Sequence, residues 1–283
     1  MTATQGPSLA TDPFGTASLA AGALAERTGV ASHDVAVVLG SGWGRCADII
    51  GEGPEVRLAE LPGFPQPTAI GHGASVRSVN VNGMAVLVFL GRIHLYEWDD
   101  PKPVAHGVRT AHAAGCTKVI LTNGAGSLRR DWEIGQAVLI SDHINVTGKS
   151  PMTGPNPPTG SRFVDLTDAY SKRLRDLARE VDPTLPEGVY MGYHGPHFES
   201  PAEIKMAGIV GADLVGMSTV LEAIAARHLG MEVMGLSLAT NLAAGISPVP
   251  LDGDHVIAAG NAAAERIGRL LRAILERMAA DRG

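Results

Sequence analysis

Six apolar runs along the chain each end at small or polar residues. They cover residues 35–39, 84–90, 118–121, 137–140, 213–217 and 233–239. Their nearly continuous hydrophobicity is typical of strands that are buried on both faces, as in α/β sheets. In such sheets, ligands bind outside the carboxyl ends of the strands. If the six runs are neighbouring strands, the polar residues that follow them form one site for a small molecule.

Helical patterns alternate with these runs, which favours an α/β protein. The clearest pattern lies near the C-terminus, where an apolar stripe with i, i+3, i+4, i+7 spacing comprises Ile267, Leu270, Leu271, Ile274, Leu275 and Met278. The Ala/Leu-rich residues 19–25 predict an earlier helix that ends at Gly29. Two stretches rich in Pro and Gly, residues 61–73 and 148–162, show neither the hydrophobic period of a helix nor that of a strand. We expect long irregular loops there.

Size, charge and cysteine content narrow the class of protein. The 283 residues contain no internal repeat and no linker, so we expect one domain over residues 16–283 behind a loose tail over residues 1–15. The net charge of −6 argues against a general binder of nucleic acid or membrane surfaces. Cys46 and Cys116 lie in no CxxC motif, which favours a reducing cytoplasm. No apolar run approaches the ~18 residues that span a membrane.

A glycine-rich segment, Gly40-Ser41-Gly42-Trp43-Gly44, follows the first apolar run. A dinucleotide-binding fold would require G-x-G-x-x-G and an acidic residue about 20 positions later. Here the third glycine comes one residue early, and the acidic position falls near Glu60, in a Pro-rich region. A nest of backbone amides with the Ser41 hydroxyl, suited to phosphate, is the better interpretation, and a plain tight turn is the alternative.

Further candidate anion ligands follow other runs. Arg92 and His94 lie two positions apart just after the second run, so in an extended segment both side chains point towards the same anion. His72, which lies between two glycines, is a candidate third donor. Ser218 directly precedes a T-x-x-E capping box at residues 219–222, and is either a ligand beside the positive end of a helix dipole or a linker.

Two other segments suit a flat heterocycle. Phe198 offers a ring for stacking, and the adjacent Glu199 offers an acceptor for an N–H group. Asn241, which follows the last run, both donates and accepts hydrogen bonds. Taken singly, Glu199 is equally explained as a surface carboxylate and Asn241 as a turn residue that ends a strand.

Taken together, these segments resemble the trimeric purine nucleoside phosphorylase family. The motifs, in the order of that family, are G-S-G-W-G at 40–44, G-H-G at 71–73, G-R-I-H-L-Y-E at 91–97, T-N-G-A-G at 122–126, G-P-H-F-E-S at 195–200, V-G-M-S-T-V-L-E at 215–222 and A-T-N at 239–241. The resemblance covers roughly residues 30–260. It is the combination of motifs that is specific, since no single motif is.

The resemblance implies a single three-layer α/β domain around a mixed, partly barrel-like β-sheet, assembled as a homotrimer. It implies that phosphate displaces the purine of a nucleoside without a cofactor or a metal. Phosphate would be held by Ser41, His72, Arg92, His94, Asn123, Gly124 and Ser218. The purine would be held by Phe198, Glu199, Met217 and Asn241. The ribose would contact Tyr96, Met217 and, from a neighbouring subunit, Phe163. Catalysis would rest on Asn241, Glu199 and His94.

The choice of base follows from hydrogen-bond inventory. Inosine and guanosine carry a hydrogen on N1, which an ionised Glu199 accepts, whereas adenosine presents a lone pair there. We therefore expect a preference for 6-oxopurines. In the related methylthioadenosine phosphorylases an aspartate replaces the asparagine at position 241, and this chain keeps Asn241.

The alternatives are a 5′-methylthioadenosine phosphorylase and, from a different class, a non-catalytic nucleoside-binding protein. A nucleoside hydrolase would use water and usually an Asp-rich calcium site, and the N-terminal sequence shows no such cluster. One position departs from the family, where a histidine before the last helix usually contacts the ribose 5′-hydroxyl. Gly253 occupies that position here, and His255 comes two residues later.

Overall fold

The computed structural model describes residues 8–65 and 75–281. The strands are β1 (Val35–Leu39), β2 (Glu55–Arg57), β3 (Ser75–Val81), β4 (Met84–Leu90), β5 (Lys118–Ser127), β6 (Ala137–Asn145), β7 (Glu187–Gly192), β8 (Leu214–Gly216) and β9 (Glu232–Leu242). The helices are α1 (Pro13–Thr28), α2 (Cys46–Ile50), α3 (Leu95–Trp98), α4 (Pro101–Ala113), α5 (Lys172–Val181), α6 (Pro201–Ile209), α7 (Val220–His228) and α8 (Gly253–Ala280). Each of the six predicted runs forms a strand.

The strands form one mixed sheet in the order β2-β3-β4-β1-β5-β8-β7-β6-β9. Strand β9 also pairs with β5, in parallel, so the last five strands of the sheet close on themselves. Strands β1 and β4 pair in parallel, whereas β8 runs antiparallel to β5 and β6 antiparallel to β9. The prediction of a mixed, partly barrel-like sheet is confirmed.

Helices cover both faces of the sheet because the side chains of each strand alternate between two cores. In β1, Ala36 and Val38 belong to one core, with Leu24 of α1, Val108 of α4 and Ile224 of α7. Val35, Val37 and Leu39 belong to the other core, with helices α2, α5 and α8. The predicted C-terminal stripe packs into this second core, where Ile267, Leu271, Ile274 and Leu275 are fully buried. The structure is therefore the expected three-layer arrangement.

The boundaries differ from the prediction in two places. The tail predicted over residues 1–15 is wrong at its C-terminal end, because α1 begins at Pro13, where proline suits the first turn and the Asp12 side chain accepts the Gly15 amide. Strand β5 continues past Leu121 through the T-N-G-A-G motif to Ser127, because β9 continues to pair with it there.

The predicted loop of residues 148–162 contains no helix or strand. The other predicted loop, residues 61–73, is described only up to residue 65, and those residues are irregular. Across the two described ranges, no helix combines the length and the hydrophobicity needed to cross a membrane.

Candidate active site

A cleft of about 650 Å³ opens where β1 and β5 separate. The two strands pair in parallel only as far as Val38 and Leu121, while β5 continues along β9. Ten of the predicted site residues line this cleft, namely Ser41, His94, Tyr96, Asn123, Gly124, Phe198, Glu199, Met217, Ser218 and Asn241. These ten residues come from six separate segments of the chain, which thus meet in one place, as expected from the strand ends.

The glycine-rich segment forms one wall of the cleft in a fixed conformation. The Gly40 amide donates to the Thr122 hydroxyl at 3.0 Å, and the buried Trp43 indole donates to the Asn123 carbonyl at 2.9 Å. Gly42 has a positive φ of 84°, and a Cβ on Gly260 of α8 would lie 2.3 Å from the Gly42 Cα. These contacts hold the Ser41 hydroxyl at the edge of the cleft.

Arg92 lies behind this wall and does not itself line the cleft. Its Nη1 donates to the Ser218 hydroxyl at 3.0 Å, and its Nε is 3.3 Å from Oε2 of Glu222. Both charged side chains are 3% exposed. Burial raises the pKa of Glu222, and the Arg92 charge opposes that shift. The guanidinium is therefore a desolvated positive charge next to the cleft, held between a hydroxyl and a carboxylate.

His94 and Tyr96 lie side by side at the start of α3. Their rings stack with centroids 4.9 Å apart and an angle of 14° between the planes. The His94 backbone amide donates to Oε1 of Glu97 at 2.8 Å, which fixes the end of the preceding extended segment. Burial raises the pKa of Tyr96, with a further contribution from the Glu97 charge. A stacked pair of this kind offers one apolar face and two polar edges to a sugar.

Phe198 and Glu199 follow Gly195, where the backbone takes a left-handed conformation. Gly195 has a φ of 74°, and a Cβ there would lie 2.5 Å from the Met217 Sδ. Phe198 keeps 41% exposure, whereas Glu199 is 7% exposed. Oε1 of Glu199 is buried and has no hydrogen-bond partner among the described residues. Burial is also the main reason why the pKa of this carboxyl is raised. The cleft thus contains a buried hydrogen-bond acceptor, the Glu199 carboxyl group, to which no described residue donates at Oε1.

The Asn241 amide is oriented by its own backbone and by its neighbour. Nδ2 donates to the Leu242 carbonyl at 3.0 Å, and Oδ1 accepts the Thr240 hydroxyl at 2.9 Å. Since an amide nitrogen carries two hydrogens, one remains available to a ligand. Asn241 is therefore a donor of fixed direction.

The remaining two predicted residues are His72 and Phe163. His72 falls outside the described residues. Phe163 is 88% exposed on the loop that follows β6 and does not line the cleft of its own chain. The segment Ser141-Asp142-His143, which had no predicted role, also does not line the cleft, and its His143 Nδ1 lies 3.1 Å from the Tyr170 hydroxyl.

Some residues of the cleft were not predicted. Arg45 directly follows the glycine-rich segment and Thr240 precedes Asn241, so adjacency to a motif was a usable signal for both. Asn261 of α8 also lines the cleft, and nothing in the local sequence distinguishes it from other polar positions of that helix. Gly253, the position that departs from the family, lines the cleft at the start of α8.

Comparisons with known proteins identify the family of the chain. Residues 34–276 match the model of the phosphorylase superfamily. The chain is 57% identical over 274 residues to a purine nucleoside phosphorylase from Cellulomonas sp, with 95% of each chain covered. It is 55% identical over 267 residues to the purine nucleoside phosphorylase of Mycobacterium tuberculosis, covering 94% of this chain and 97% of the other.

Solved structures give the same result. Isoform 2 of purine nucleoside phosphorylase from Schistosoma mansoni, in complex with cytosine and ribose-1-phosphate, superposes with a TM-score of 0.86 at 32% identity, covering 93% of this chain and 96% of that one. The Schistosoma mansoni enzyme in complex with inosine gives a TM-score of 0.83 at 29% identity, over 92% and 95% of the two chains. This chain belongs to the phosphorylase superfamily and, within it, to the purine nucleoside phosphorylases.

Proposed function

We propose that the protein cleaves inosine, guanosine and their 2′-deoxy forms by phosphorolysis, as a pentosyltransferase. A phosphate oxygen attacks C1′, the bond from C1′ to N9 of the purine breaks, and the electron pair goes to the base. The products are the free purine and ribose 1-phosphate or deoxyribose 1-phosphate. The observation that carries the proposal is one cleft that is lined both by Ser218, which the buried Arg92 contacts, and by Glu199, whose Oε1 has no partner among the described residues.

The phosphate end supplies donors and positive charge. We assign phosphate to the Gly124 amide, the hydroxyls of Ser41 and Ser218, the side chains of His94 and Asn123, and the charge of Arg92, with His72 as a further candidate from the sequence. Because cleavage builds positive charge on the sugar, a phosphate anion beneath C1′ stabilises the transition state before it attacks. Positioning of the two substrates supplies the rest of the rate enhancement.

The base end stabilises the leaving group. Asn241 has one Nδ2 hydrogen available, which suits N7 of the purine as that ring gains electrons. Glu199 accepts from N1–H of a 6-oxopurine, and Phe198 and Met217 contact the flat face of the base. Tyr96 and Met217 contact the ribose. The scheme uses the nucleoside, phosphate and protein side chains, and needs no metal or organic cofactor.

The proposed assembly is a homotrimer that works in the cytoplasm. An aromatic side chain with 88% exposure, as at Phe163, is costly in water and suits insertion into the cleft of a neighbouring subunit. Both cysteines, Cys46 and Cys116, are free and buried, which suits a reducing compartment.

A single assay tests the reaction. The purified protein is incubated with inosine, with and without phosphate, and the release of hypoxanthine is followed. We expect release that depends on phosphate, with ribose 1-phosphate formed in equal amount. Equal release without phosphate would identify a hydrolase, and no release in either condition would leave a nucleoside-binding protein. A parallel reaction with 5′-methylthioadenosine tests the alternative, a 5′-methylthioadenosine phosphorylase.

A further inference from the structure

Thr219, between Ser218 and helix α7, has a backbone conformation that is rare for its residue type. Its φ is 71° and its ψ is −49°, and the Val220 amide donates to the Ser218 carbonyl at 2.7 Å. This geometry is a γ-turn with positive φ, which is strained, and a β-branched residue there is an outlier. Such strain persists only where the surroundings enforce it, and it concentrates at functional sites.

Hydrogen bonds from neighbouring residues hold both the backbone and the side chain of Thr219 in this turn. Thr219 is fully buried, and its amide donates to Oε2 of Glu222 at 3.0 Å. Its hydroxyl oxygen accepts Nδ2 of Asn123 at 2.9 Å and lies 3.4 Å from Nη1 of Arg92. The same oxygen lies 3.1 Å from the hydroxyl oxygen of Ser218.

The directions of these hydrogen bonds follow from counting protons. A hydroxyl has two lone pairs and one hydrogen. Three groups that can only donate face the lone pairs of Thr219 Oγ1: the Asn123 Nδ2, the Arg92 guanidinium and the Glu222 backbone amide of the capping box. Its hydrogen is therefore directed to Ser218 Oγ, which also accepts from Arg92 at 3.0 Å. With both lone pairs occupied, the hydroxyl hydrogen of Ser218, a residue that lines the cleft, is left for a further acceptor.

We propose that Thr219 is a positioning residue for phosphate, whose hydroxyl fixes Ser218 as a hydrogen-bond donor to the anion. The strained turn is what places the two hydroxyls side by side next to Arg92. Without the Thr219 hydroxyl, a lone pair of Ser218 is free, so its hydroxyl is no longer restricted to donating. The inference rests on the proposed function, because it deepens the assignment of phosphate to Ser218.

The test measures KM for phosphate and KM for inosine separately in variants at position 219. Thr219→Val keeps the β-branched shape and removes the hydroxyl. We expect KM for phosphate to rise about ten- to hundredfold, the range for a lost hydrogen bond to a charged group, while KM for inosine changes less than about threefold. Thr219→Ser should restore most of the phosphate affinity lost in Thr219→Val. Thr219→Gly accepts the positive φ and lacks the hydroxyl, so it should match Thr219→Val even if the valine variant folds poorly.

A double-mutant cycle separates positioning from a general structural role. If Thr219 acts through Ser218, adding Thr219→Val to Ser218→Ala raises KM for phosphate no further than Ser218→Ala alone. Thr28→Val removes a different buried hydroxyl, which donates to the Leu24 carbonyl within α1 and does not line the cleft. It serves as the matched control, for which KM for phosphate should stay unchanged. Thermal unfolding of each variant reports on folding.

The outcomes are distinct. Additive effects in the cycle, or equal rises in both KM values, would overturn the inference, as would a valine variant with wild-type KM for phosphate. If the wild-type protein releases hypoxanthine without phosphate, or releases none, the proposed function fails instead. The wild-type assay is therefore done before any variant is measured.

Discussion

Replacement of Glu199 by glutamine tests the base-binding end most sharply. The carboxylate is 7% exposed, and its Oε1 has no hydrogen-bond partner among the described residues, so the substrate has to supply a donor. Glutamine has nearly the same shape and keeps an acceptor oxygen, but it carries no charge and adds two N–H donors. The substitution therefore changes the pattern of donors and acceptors with little change in packing.

The expected magnitudes follow from this pattern. A hydrogen bond to a charged group contributes about 1.5–3 kcal/mol, and 1.36 kcal/mol is tenfold in rate, so kcat/KM for inosine should fall about ten- to hundredfold. A buried polar group left unpaired discriminates by ~10⁴, which is the preference for inosine over adenosine that we expect of the wild type. Since glutamine pairs with either base, that preference should shrink to about tenfold in Glu199→Gln.

The assay compares kcat/KM for inosine and adenosine at several pH values. Burial raises the pKa of Glu199, and only the ionised form accepts N1–H well. Activity of the wild type on inosine should therefore fall as pH drops through that raised pKa, and Glu199→Gln should lack this component. The ionisation of phosphate is common to both proteins and cancels in their ratio. Glu26→Gln, at an exposed carboxylate of α1 that does not line the cleft, is the control. An unchanged inosine preference in Glu199→Gln would refute the assignment.

Four further changes test other parts of the molecule. Asn241→Asp should shift preference towards adenosine in the same assay, because the new carboxylate accepts the 6-amino group; an unchanged ratio would contradict the placement of the base. Arg92→Ala should raise KM for phosphate more than KM for inosine, since its charge lies next to Ser218, and the reverse would mean that the subsites are exchanged. Gly260→Ala should displace the glycine-rich segment, because its Cβ would lie 2.3 Å from the Gly42 Cα, and should lower stability by about 1–3 kcal/mol in urea unfolding. Ile274→Ala should cost about 2–5 kcal/mol in the same measurement with KM values unchanged, because the fully buried side chain lies in the core under α8; a loss below that range would mean that the core collapses around the cavity.

Several features could be predicted from sequence because they depend on local pattern. The bounds of β1 and β4 coincide with their apolar runs, since a strand buried on both faces leaves no polar position inside it. The capping box at Thr219 also starts α7 as predicted, because it needs only residues three positions apart. The end of β5 was not predictable, since its glycines are held in a strand only by pairing with β9.

The candidate site likewise has features that local sequence predicts and features that only the tertiary structure decides. The groups that we propose for the substrates, a hydroxyl and a glycine loop for phosphate and a carboxylate and an amide for the base, lie in motifs that the sequence displays. The cleft itself is decided by tertiary structure, because it exists only where β5 leaves β1 to close on β9. Tertiary structure also brings Asn123 and Arg92, which are far away in sequence, to the hydroxyl of the helix cap Thr219, because they meet it only in the folded protein. Sequence thus determined which groups are available, and the packing of distant segments decided their directions, because a hydrogen bond depends on positions that no local pattern contains.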